Sequence, residues 1–225
     1  MKRFALLLAA ALLAAQVGAP EVEITAEPHH HLVLENKSVR VFNVEVDPAA
    51  ETQMHWHRHD YVYVTLGDTE IVNIVKDKAP VTVKLQDGET RFSPATFAHI
   101  VRNPMNQPFR NVTIEILEDD SLRAAASPWD AKQNGDRGLN ILQGGTQQIL
   151  FVKDAIRVSE VELQPGGVFP ESRAGLLVAV NDFDLRRDDA KAEHLRSGDS
   201  IWFSGKHTLT NARSTSAKFV MLEFP

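Results

Sequence analysis

The residues best placed to do chemistry are three histidines in two separated segments: His55 and His57 in Met54-His55-Trp56-His57, and His99 in Phe97-Ala98-His99-Ile100. Side chains alternate along an extended strand, so a His-x-His pair sends both imidazoles to one face. His99 arrives from a second β-rich segment, behind Gly88 and Pro94. Neutral imidazole suits iron, zinc, copper and nickel. Three such donors converging inside a barrel hold an ion and leave coordination positions open. His59 shares the parity of His55 and His57, so type and spacing alone leave open which two form the pair.

The elements that must position these side chains read as strands. Runs near 31–35, 38–46, 61–66, 69–75, 80–85, 90–93, 98–102 and 109–118 are short and bounded by Pro, Gly, Asp and Asn. Many short strands with turn signals and little helix predict an all-β sandwich or barrel. The chain also repeats itself. A shift of 117 positions lays residues 39–48 over 156–165, with Arg, Val, Val, Glu and Pro identical. Gly88 has a counterpart in Gly198, and the run 111–118 has one in 218–223. A repeat this long marks a duplicated domain. The expected organisation is an N-terminal barrel over 28–118, a linker over 119–147 and a C-terminal barrel over 148–225. Within the linker, Asp119, Asp120 and Ser121 are placed to cap a short helix through Ala126, and the glycine-rich remainder reads as loop.

The two histidine segments resemble the paired motifs of the cupin superfamily. Gly88, Pro94, His99 and Asn103 keep the spacing of the second motif, with Thr96 where Gly is usual. In the first, Ala49 stands at the Gly position, six residues before His55, and the usual following Glu is replaced by Tyr61. Counting six back from His57 instead reaches Glu51, which has no turn character, so the resemblance selects His55 and His57, with His59 as runner-up. It covers nearly all of 28–225 and implies two tandem double-stranded β-helix (jelly-roll) barrels, a bicupin. It further implies one divalent ion held by His55, His57 and His99, with Fe(II) preferred and Zn, Mn, Ni or Cu as alternatives. An imidazole-only set is similar to that of the cysteine dioxygenase and diketone-cleaving branches. Asp60 or Tyr61 is the expected proton-transfer group.

In the second repeat Ser172 and Ala174 stand where His55 and His57 map, while His207 and Asn211 keep the spacing of His99 and Asn103. The C-terminal barrel is therefore expected to be metal-free, with His207 a core residue. Two functions fit. One is an exported metalloenzyme of dioxygenase type acting on a small anionic or enolic molecule. The other is a non-catalytic protein in which the metal anchors such a ligand.

The rest of the sequence narrows the field. The chain of 225 residues has no cysteine, which excludes disulfides, thiolate ligands and a cysteine nucleophile. Its net charge of −6 is scattered, with no basic stripe for a nucleic acid. Lys2 and Arg3, the apolar run 4–15 and the small residues to Ala19 read as a secretory signal over 1–19. The expected location is periplasmic or secreted, with no membrane attachment once the signal is removed. No Walker loop, Gly-x-Ser-x-Gly elbow or dinucleotide fingerprint is present. In His29-His30-His31, alternation sends His30 to the face opposite its neighbours, and an exposed edge without a metal role is expected. Trp56 faces away from its flanking histidines and is expected in the core or between the barrels. Oligomeric state has no signature in the sequence.

Overall fold

The computed structural model describes residues 20–117, 138–171 and 173–225. In the first half the strands are β1 (Val22–Glu23), β2 (His30–Glu35), β3 (Val39–Val46), β4 (His55–His57), β5 (Tyr61–Leu66), β6 (Thr69–Val75), β7 (Val81–Leu85), β8 (Thr90–Ser93), β9 (Phe97–Arg102) and β10 (Phe109–Ile116). In the second they are β11 (Leu139–Lys153), β12 (Ile156–Glu171), β13 (Ala174–Ala179), β14 (Phe183–Arg187), β15 (Glu193–Leu195), β16 (Ser200–Ser204), β17 (His207–Asn211) and β18 (Ala217–Glu223).

The first half forms two five-stranded sheets, β2-β3-β10-β5-β8 and β1-β4-β9-β6-β7. The second half repeats the first order as β11-β12-β18-β13-β16 and the second, without a counterpart of β1, as β12-β17-β14-β15, the two joined into one sheet because β12 runs through both. The fold is all-β, two jelly-roll barrels in tandem. Among the described residues no helix is long and apolar enough to cross a membrane.

Period-2 alternation explains why the central strands are apolar on both faces. On β3, Val39 and Val41 join a cluster shared with Ile156, Val158 and Leu222 of the second half. Phe42, Val44 and Val46, on the other face, fill the interior of their own barrel. β10 divides the same way: Val112, Ile114 and Ile116 enter the shared cluster, while Phe109 turns inward. The two halves are therefore joined by a common core, in which each fully buried Val or Ile contributes about 1.5–3 kcal/mol.

The duplication is imprinted in polar contacts as well. Asn103 Nδ2 donates to the carbonyls of Val46, Asp47 and Gln107, and its Oδ1 accepts from Met105 N. Asn211 makes the same bonds to Leu163, Gln164, Thr215 and Arg213 N. Arg40 pairs with the buried Glu115, and Arg157 pairs with the buried Glu223 at the matching register.

Ala49 and Thr96, where the motifs carry Gly, keep the left-handed backbone that Gly adopts without strain (φ 58° and 74°). The counterpart of Ala49 in the second half, Gly166, has φ 75°.

Residues 139–147, read as loop, instead begin β11 and pair with β12. The Gly144-Gly145 pair that signalled a turn serves a close approach: a Cβ on Gly145 would overlap the Glu162 carbonyl oxygen. The expected signal over 1–19, the short helix through Ala126 and Ser172 lie outside the described residues.

Candidate metal centre

β4 lies antiparallel to β9 with His55 opposite His99 and His57 opposite Phe97. Cross-strand pairing and alternation therefore bring three imidazoles to one inner wall, where a nitrogen from each lies within 4.8 Å of the others. All three are buried, at 0%, 1% and 7% exposure for His55, His57 and His99.

Their hydrogen bonds orient them as ligands. His55 Nδ1 donates to the Gln53 carbonyl at 2.9 Å, so its Nε2 carries the lone pair, and that atom is buried without a partner. His99 Nδ1 donates to Asn73 Oδ1 at 2.8 Å, so its Nε2 is likewise a lone-pair donor. That Nε2 faces His57 Nε2 at 3.1 Å, and His57 Nδ1 is buried without a partner. A divalent ion between the rings would satisfy His55 Nε2 and replace the contact between the other two nitrogens. The residues present therefore fit a metal. Burial depresses all three imidazoles, helped by repulsion from neighbouring imidazoles. His55 is lowered to about 4 by burial and by nearby His30, and His57 and His99 fall well below the usual histidine range. They stand neutral at pH 7, the form that ligates.

His57 and His99 border a cavity of about 150 Å³. Val44, Ile71, Val83 and Phe109 supply apolar wall; Tyr63, Asn73, Arg91, Asn111 and Thr113 supply polar groups. Tyr61 also faces the cavity, with its ring stacked on His57 at 4.1 Å, and burial raises its phenol pKa. Asp60 accepts a hydrogen bond from Ala95 N at 2.7 Å and is absent from the cavity lining. His59 does not line the cavity either; it lies near the buried Glu115.

His30 and Trp56 depart from expectation. His30 is not on an exposed edge: it pairs in register with the inward-facing Val44, its side chain is 4% exposed, and it lines the cavity. Alternation on β2 separates it from His31, but the side it takes is the interior, and His29, in the turn before β2, shares the Glu27 carboxylate with it. Its ring lies 4.7 Å from that of His55, and its Nδ1 meets the buried Glu27 at 2.6 Å. The only trace of this pair in the sequence is a Glu-x-x-His spacing leading into a strand. Trp56 is neither core nor inter-barrel contact. Its Nε1 donates to Glu21 at 2.8 Å, and the Arg58 guanidinium lies 4.3 Å over its ring.

The second barrel lacks this arrangement. Opposite His207 stands Glu171, where the first barrel has His55 opposite His99. His207 is not a core residue; its Nδ1 meets Asp188 at 2.9 Å with the side chain 25% exposed. Strand registers align Tyr63 with Leu177, Thr65 with Ala179, Asn111 with Phe219 and Thr113 with Met221. Polar cavity wall is thus exchanged for packed apolar core, completed by Phe169, Phe183 and Phe203. Among the described residues, only the first barrel brings together three groups suited to a metal.

Fold and site define a β-barrel protein with an imidazole pocket in one of its two halves. No family model matches the chain. Over 87 residues it is 29% identical to oxalate decarboxylase of Bacillus subtilis strain 168, a match covering 38% of this chain and only 22% of that enzyme. A solved cupin domain from Bordetella pertussis Tohama I is 30% identical, with 39% of this chain and 90% of that one covered and a TM-score of 0.37. Salicylate 1,2-dioxygenase from Pseudoaminobacter salicylatoxidans, solved as adducts with gentisate, is similar in fold across both halves. It has a TM-score of 0.57 at 11% identity, covering 84% of this chain and 68% of that one. The chain belongs to the cupin superfamily.

Proposed function

We propose that this protein is an exported metal-dependent enzyme of dioxygenase type, with His55, His57 and His99 as ligands and a small anionic or enolic substrate. The observation that carries this is the convergence of three buried, neutral imidazoles, two with fixed lone-pair nitrogens, beside a cavity with polar groups in an apolar wall. Bound there, an ion such as Fe(II) supplies Lewis acidity and, with positions left open, the capacity to activate dioxygen.

The protein's own groups prepare that chemistry. Gln53 and Asn73 hold the rings of His55 and His99 in the ligating tautomer. Tyr61 stands at the missing carboxylate position, keeps its proton and braces His57 by stacking. Asp60 is engaged with Ala95, so of the two residues expected to move a proton, only Tyr61 faces the cavity. Neutral imidazoles bring no negative charge, so an ion held by them favours an anionic oxygen. The charged start and apolar run of residues 1–19 support export.

The test is oxygen uptake by the iron-loaded protein over diketones, flavonols, thiols and catechols. At least one class should be consumed by wild type, with His55→Ala slower by at least about 10–100-fold, the scale already reached by losing a ligand's hydrogen-bonding partner. If several compounds bind and none is consumed with any divalent metal, the protein is a non-catalytic binder.

A further inference from the structure

Behind His30 in the cavity wall lies a carboxylate that the motif does not provide. Glu27 precedes β2, and its side chain is fully buried. It accepts hydrogen bonds from His30 Nδ1 (2.6 Å), His29 Nδ1 (3.0 Å), His29 N (2.8 Å) and Gln53 N (3.1 Å). Gln53 is also the residue whose carbonyl orients His55, so Glu27 braces the centre along two routes. Burial alone would push its carboxyl up, but the bonds from His30 and His29 outweigh it and hold the group at about 2.

A carboxylate that already receives two backbone N–H groups acts as an acceptor, so His30 Nδ1 carries the proton; burial keeps the ring neutral, which leaves Nε2 with a lone pair. The ring is packed near His55 at 4.7 Å and edge-on to Phe42 at 6.0 Å, and it lines the same cavity as His57 and His99. It falls outside the group of three whose ligating nitrogens lie within 4.8 Å, so it stands beside the centre and not in it. The cation in the cavity wall, Arg91, is already bonded to Glu89 at 2.7 Å. A ligand entering here therefore meets a fixed acceptor on one side and a matched ion pair on the other.

We propose that the Glu27–His30 pair orients the ligand: His30 Nε2 accepts a hydrogen bond from a ligand hydroxyl, so the site prefers chelators carrying both an anionic oxygen and a hydroxyl over hydroxyl-free chelators. This rests on the triad being the ion's ligands. The preferred class includes catechol monoanions and α-hydroxy acids, and the disfavoured class includes oxalate.

Cobalt-loaded full-length chain separates the two layers. Elemental analysis is followed by titration of the cobalt absorption with 4-nitrocatechol and, separately, with oxalate. His30→Phe should retain its cobalt, bind 4-nitrocatechol about tenfold more weakly, the scale of one hydrogen bond, and bind oxalate within about twofold. Glu27→Gln keeps the ring and should shift the ratio in the same direction by less; it also reads the ratio if His30→Phe does not fold by circular dichroism. Equal weakening of both probes, or no change in either, overturns the orienting role. Cobalt lost from His30→Phe as fully as from His57→Ala overturns it too, by making His30 a ligand. Wild type that takes up no cobalt overturns the triad itself and the inference with it.

Discussion

At the scale of single residues, the site depends on imidazoles that burial has made poor bases. His55 is held at about 4 in the folded chain, against about 6.5 when unfolded. Between those values the unfolded chain binds more protons than the folded one, so stability is full above about pH 6.5 and falls as pH drops toward 4. Chemical denaturation of the metal-free protein should show a loss of about 2–3 kcal/mol across that window from His55 alone. A flat profile would mean the imidazoles are more solvated than their burial indicates. His55, His57 and His99 were legible because a period of 2 and a motif spacing survive in one dimension. His30 was not, because which face of β2 is interior depends on its pairing with β3. Glu27 was hidden for a similar reason: one of its donors, Gln53 N, is 26 positions away.

At the scale of elements, the turns and corner bonds of the two repeats make separate predictions. Ala49 holds a left-handed backbone at φ 58°, which costs a residue with a side chain about 1–2 kcal/mol. Ala49→Gly relieves this and loses part of it to unfolded-chain entropy. It should raise the denaturation midpoint by the equivalent of about 0.5–1 kcal/mol, whereas a fall would mean the turn is held by the alanine methyl. Asn211→Ala leaves three carbonyls without their donor and should cost about 2–3 kcal/mol, read from the same denaturation curves. Most strand positions followed from turn residues and apolar runs. β1 and β4 span only two and three residues, too short to show a period. The start of β11 was masked by glycines whose purpose, a close approach to Glu162, needs a partner strand to become visible.

At the scale of the whole molecule, one barrel keeps a polar cavity and the other has filled its interior, while a shared core binds them. The duplication and the loss of the second histidine pair were legible in aligned repeats. The exchange of Asn111 and Thr113 for Phe219 and Met221 was not, since it appears only once both closing strands are set in register. The asymmetry makes the central claim measurable: one divalent ion per chain, held in the first barrel alone. Elemental analysis of purified wild type, His57→Ala and His207→Ala tests it most directly. Near-stoichiometric metal is expected in wild type and His207→Ala, and its loss in His57→Ala. Metal retained after all three of His55, His57 and His99 are replaced, or lost from His207→Ala as from His57→Ala, would contradict it.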